Sequence, residues 1–116
     1  MGYKHINLEY IEMVSGGDRE IISELIGIFR AQSKEFHEEM LSLFGSGSYL
    51  QLGQLAHKAK SSVAIMGMEE LASRMKQLET SAREGDKPDE YREIIEFFRS
   101  ETVMALEELD DYLGRI

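Results

Sequence analysis

A chain of 116 residues with 42% apolar and 30% charged side chains has the size and make-up of one soluble domain spanning 1–116, neither disordered nor membrane-embedded. Twenty-two acidic against thirteen basic residues leave a formal charge of −9, a field that repels nucleic acid and anionic membranes and favours a protein partner. With no cysteine, disulfide scaffolds, thiolate zinc sites and thiol nucleophiles are excluded. No apolar run approaches the roughly 20 residues of a bilayer-crossing helix. The leader Met-Gly-Tyr-Lys-His-Ile has no apolar stretch, and Ile6 stands where myristoylation expects Ser or Thr, so a cytoplasmic protein is expected.

Apolar residues recur at helical spacing in nearly every segment, which predicts an all-α chain. A short helix over about Leu8 to Val14 ends at Ser15-Gly16-Gly17, and Asp18 can cap the next. That second helix runs to about Phe44, with Ile22, Leu25, Phe29, Phe36, Met40 and Leu43 in one stripe and Ser33 as its one small gap. Gly45-Ser46-Gly47-Ser48 lacks the preceding strand and the Gly-Lys-Ser/Thr of a phosphate-binding loop, so it reads as punctuation. Gly45 suits a helix stop, and Ser48 with Gln51 has the spacing of a capping box. Helix three then covers about Tyr49 to Met66, and Gly67 ends it.

A fourth helix from about Glu69 to Glu84 turns Leu71, Met75, Leu78 and Ala82 inward. Gly85-Asp86-Lys87 is the next turn, and Pro88 fits the first turn of a last helix with Tyr91, Ile95, Phe98, Thr102, Ala105, Leu109 and Tyr112 as its stripe. Four long helices on short turns predict an antiparallel up-down four-helix bundle, with the short additional N-terminal helix covering one end.

The third helix carries the chemistry. At about 100° per residue, Leu52, Ala56, Ala59, Val63 and Met66 gather on the buried side, and His57 points about 140° away, toward solvent. Gly53, Lys60, Ser61 and Ala64 share its face within two turns. Exposed helix positions usually hold long polar side chains, whereas these, Lys60 apart, are small. Such a clearing lets another protein bring an active-site loop to the imidazole. In-line phosphoryl transfer requires that access. Free imidazole titrates near about 6.5, so much of it is neutral and nucleophilic at cellular pH. Lys60 can offset the charge of phosphoryl oxygens. Leu50, near the start of the helix, and Ile65, near the edge of this face, offer apolar docking area, with Gln32 or its neighbours on helix two contributing from the side.

His57, Lys60, Ser62 and Gly67 together resemble the signature of histidine-containing phosphotransfer (HPt) domains, and the resemblance extends over about Ile6 to Leu113. The family's usual Gly after the Lys is Ser61 here, still small but bringing a hydroxyl beside the phosphoryl group. The resemblance implies a phosphorelay intermediate of a two-component system, without kinase activity of its own. Nε2 of His57 would accept the phosphoryl group from a receiver-domain aspartate and hand it to a second receiver. The implied partners are response-regulator receiver domains and a hybrid sensor histidine kinase, with the chain itself a monomer. No cofactor is expected, since Mg²⁺ would come from the receiver's acidic pocket.

Other readings are weaker. His5 falls in an N-terminal segment expected to be mobile, and His37 sits among Glu35, Glu38 and Glu39 on a charged face. Ser61, Ser62 and Ala64 can instead be close-packing positions, Gly67 is a stop without a chemical role, and Met66, Met68 and Met75 read as core or rim filler rather than a ligand site. The acidic runs Glu35 to Glu39 and Glu107 to Asp111 read as solvated faces. A carboxylate-bridged metal bundle needs Glu-x-x-His pairs, but Gln54 and Lys34 stand three residues before His57 and His37, so no metal site is expected. A complete histidine kinase would need an ATP-binding domain for which the chain has no room. The alternative function is a helical adaptor in which His57 is incidental.

Overall fold

The computed structural model describes residues 3–85 and 87–116. Met1, Gly2 and Asp86 lie outside them, and with them the start of the leader and the centre of the turn expected at 85–87. Five helices make up the described residues, α1 (Leu8–Ser15), α2 (Arg19–Gly45), α3 (Tyr49–Ile65), α4 (Glu69–Glu84) and α5 (Pro88–Arg115), with no strand among them.

Their ends follow from local chemistry, with two corrections. Asn7 Oδ1 accepts the Tyr10 N–H, and Asp18 Oδ1 accepts those of Glu20 and Ile21, so α1 and α2 begin on side-chain caps. The expected capping box at Ser48 does not form. Its backbone ψ of 62° departs from the extended geometry of a capping residue, and its hydroxyl pairs with Ser46 Oγ at 2.9 Å. Packing fixes the start of α3 instead, where the Tyr49 ring meets Tyr91 edge-on at 5.2 Å and Phe44 at 6.3 Å. Nor is Gly45 the stop of α2. It is still helical, and Gly47, at φ +74°, makes the left-handed turn.

The predicted stripes form the core. Every stripe residue named above for α4 and α5 is buried, as are Leu52, Ala56, Ala59, Val63 and Met66 around α3. On α2, Ile22, Phe29 and Met40 are buried, while Leu25, Phe36 and Leu43 pack at the margin. Met68 and Met75 are core, as expected. Each of α2 to α5 packs against two others in a closed ring, α2 on α3 and α5, α4 on α3 and α5, and α1 touches α2 and α3. The helix bundle measures 45 × 20 × 19 Å. Its long axis is close to the roughly 42 Å of a 28-residue helix such as α5.

The N-terminal segment is tied down, contrary to the expectation of mobility. Tyr3 donates its hydroxyl to Asp111, and the backbone N–H groups of Lys4 and His5 donate to the Glu108 carboxylate. His5 Nδ1 lies 3.1 Å from Glu101. The second acidic run is therefore not merely a solvated face, because two of its carboxylates bind this strap and Asp110 pairs with Arg30. Hydrogen bonds from Tyr3 and then Arg115 hold the Asp111 carboxyl below its ordinary pKa. At its inner end the strap seals α3. A Cβ on Gly67, whose φ is +71°, would stand 2.5 Å from that of Asn7, so this stop requires glycine twice over.

Candidate functional site

Because α3 buries Leu52, Ala56, Ala59 and Val63, His57 emerges on the outer side, its side chain 59% exposed. Its Nδ1 lies 3.2 and 3.1 Å from the two carboxylate oxygens of Glu79 on α4. Glu79 is 16% exposed, and one of those oxygens also accepts from the Arg83 guanidinium at 3.1 Å. A carboxylate accepts hydrogen bonds, so in the neutral imidazole this contact selects the tautomer with its proton on Nδ1 and the lone pair on Nε2, on the ring edge turned away from Glu79. Arg83 in turn steadies the carboxylate by charge. An oriented, exposed nucleophilic nitrogen results.

Glu79 and Arg83 were not among the residues singled out from the sequence, although a signal for Glu79 exists. His57 lies ten residues before the Gly67 turn, so its neighbour on α4 falls about as far beyond it. There Leu78 is core, and Glu79 is the carboxylate beside it.

The other predicted residues divide. Ser61 and Ala64 are exposed on the same helix, and Lys60 is half-buried, its ammonium in no salt bridge among the described residues. Ser62 is half-buried and donates to Gln32 Oε1 at 2.9 Å, tying α3 to α2, so it acts in packing while placing Gln32 at the edge of this face. Leu50, 60% exposed, borders the same shallow hollow as His57, Glu79 and Arg83. Ile65 is exposed toward the other end, and Gly67 closes the helix.

Gly53 is corrected. It was expected in the open clearing, but it is buried, and a Cβ there would meet the Glu79 carbonyl oxygen at 3.0 Å and Ala82 Cβ at 3.5 Å. Its smallness serves the approach of α4 to α3, the approach that brings Glu79 to His57. Of the other histidines, His37 does not stand on a purely charged face: it is half-buried between α2 and α5, where burial and then Arg99 lower its pKa. Among the described residues no group of three or more His, Asp or Glu could hold a metal ion. No described helix is long and apolar enough to cross a membrane.

The candidate site is thus an exposed imidazole on a helix bundle, with Nδ1 held by Glu79. The family model described as Hpt domain matches residues 24–116, and the chain belongs to the Hpt domain family. That membership places it in histidine phosphotransfer within a two-component phosphorelay, where receiver domains and histidine kinases are the family's partners. The adaptor reading is not favoured. The match opens inside α2, leaving α1 and the strap outside it. No significant match was found among curated proteins or solved structures.

Proposed function

We propose that His57 is the phosphoacceptor and that this protein carries a phosphoryl group from one receiver aspartate to another, with no kinase activity of its own. The observation that supports this most is the anchored Nδ1 with Nε2 left open. Nε2 attacks the phosphorus of a receiver's aspartyl phosphate, the P–O bond to that carboxylate breaks with its electron pair, and an N–P bond forms. The positive charge that develops on the ring lies against Glu79, which accepts the Nδ1 proton's hydrogen bond throughout. Transfer onward reverses these steps on a second receiver. Lys60 offsets the charge on the phosphoryl oxygens, and Mg²⁺ belongs to the receiver's pocket. In this reading α2 to α5 form an antiparallel up-down four-helix bundle, and the protein works as a cytoplasmic monomer.

Docking uses the small residues Ser61 and Ala64 for approach and exposed apolar side chains for contact. Leu50 supplies one side. Ile28 and Ile65, 55% and 45% exposed, supply the other, on helices joined by the Ser62 to Gln32 bond. Leu50→Asp is expected to raise the Kd for a receiver about tenfold, the worth of one partly exposed leucine, without changing the circular dichroism of the bundle. Unchanged affinity would remove Leu50 from the interface.

Incubation of the wild-type chain with a receiver domain carrying ³²P-aspartyl phosphate tests the proposal. Acid-labile, base-stable label mapped to the His57 peptide supports it, and absence of label with any receiver of the source organism sinks it. For Lys60→Ala we expect transfer slowed, or the phosphohistidine lifetime shortened, about tenfold at unchanged helicity, the lower range for a hydrogen bond to a charged group. Equal kinetics would return Lys60 to the status of a surface residue.

A further inference from the structure

The α2/α5 groove shares no lining residue with the hollow beside His57, which α3 and α4 form together with Glu39 and Leu43 of α2. Ser33, the one small gap in the α2 stripe, borders this groove together with Thr102 of α5. Both hydroxyls are turned back onto their own helices, Ser33 to the Phe29 carbonyl at 2.6 Å and Thr102 to the Phe98 carbonyl at 2.8 Å. The floor between them thus carries no unmet polar demand. Leu41 and Val103 stand on the walls, 48% and 47% exposed. Paired exposed aliphatics over a hollow whose floor hydroxyls are already satisfied are a surface that gains from being covered.

Charge says by what. In a chain of net charge −9, Arg30, Lys34, His37 and Arg99 line this groove against Glu38, with Glu96 beyond it in the adjoining hollow that Leu41, Arg99 and Val103 also line. Arg30 is held by Asp110, whereas Lys34 and Arg99 are in no salt bridge among the described residues. A second copy of this chain is a poor occupant, because an isologous pairing would set Lys34 and Arg99 against themselves. From Arg30 to Leu41 the groove follows α2 for roughly 17 Å at about 1.5 Å per residue, room for about three turns of helix.

We propose that the α2/α5 groove is a second docking surface, taking an acidic amphipathic helix of a partner protein. Its apolar side chains at i, i+3, i+4 and i+7 lie between Leu41 and Val103, and its carboxylates meet Lys34 and Arg99. A partner held there leaves His57 uncovered, so the carrier can remain tethered while receivers exchange phosphoryl groups with it. The inference goes beyond the carrier role and stands on separate residues.

The test is a titration of the ¹⁵N-labelled full chain with two synthetic 16-residue peptides that share one apolar stripe, flanked by Glu in one and by Lys in the other. Saturable shifts of Leu41, Arg99 and Val103 amides with the Glu peptide, at least tenfold tighter than with the Lys peptide, support the proposal. So does their loss in Lys34→Glu/Arg99→Glu with phosphoryl uptake from a receiver intact. Equal affinity for both peptides, or shifts gathered around His57, overturns it. Concentration-dependent dimers of the wild type in analytical ultracentrifugation, removed by Leu41→Asp, would assign the groove to self-association and likewise overturn it.

Discussion

His57→Gln is expected to reduce acid-labile phosphoryl uptake to background, the largest functional effect of any single substitution in this chain. The amide of glutamine can still donate to Glu79, so the α3 to α4 contact survives. Its nitrogen lone pair, however, is delocalised into the carbonyl and cannot attack phosphorus. Because the imidazole side chain is 59% exposed, its removal opens no cavity, and the melting temperature should stay within about 2–4 °C. Residual label on the variant would locate the phosphoacceptor elsewhere. His5 and His37 are the remaining imidazoles, one bound to Glu101 and the other half-buried beside Arg99.

The second large effect is expected at Gly53. Valine there directs its methyl groups at the Glu79 carbonyl oxygen, which already stands 3.0 Å from an ideal Cβ, and at Ala82. The backbone of α4 must retreat, at a cost of about 1–3 kcal/mol for overpacking, only partly offset by removing a glycine from a helix interior. A fall in melting temperature of about 4–8 °C per kcal/mol follows for a domain near this size. Since the obstructed atom belongs to Glu79, transfer should slow in the same variant even at temperatures where it is fully folded. A Gly53→Val protein with wild-type stability and rate would show that α4 is not held against α3 through this position.

How much of this was legible in the sequence depends on the range of the interaction. Stripes repeating at three and four residues are local, and they fixed the helices to within about a residue, down to the burial of Leu71, Met75 and Leu78 on α4 and Phe98 and Leu109 on α5. The outward direction of His57 came from the same arithmetic. Helical projection, however, separates a helix's faces without saying which neighbour covers their edges. Gly53, one turn before His57, therefore looked open and proved to be where α4 leans on α3. Glu79 needed the register between two helices, and the Ser48 cap needed a backbone angle no residue spacing encodes. The strap was the least legible part. Its contacts join residues about a hundred positions apart, such as Tyr3 with Asp111 and His5 with Glu108, and nothing in a local pattern distinguishes a carboxylate that binds backbone N–H groups from one that faces water.

The Tyr3 to Asp111 bond also has a topological consequence. It brings the first described residues alongside the final turns of α5. Segments held side by side in this way close the fold on itself across almost the whole described sequence, so that loosening either one loosens the anchorage of the other.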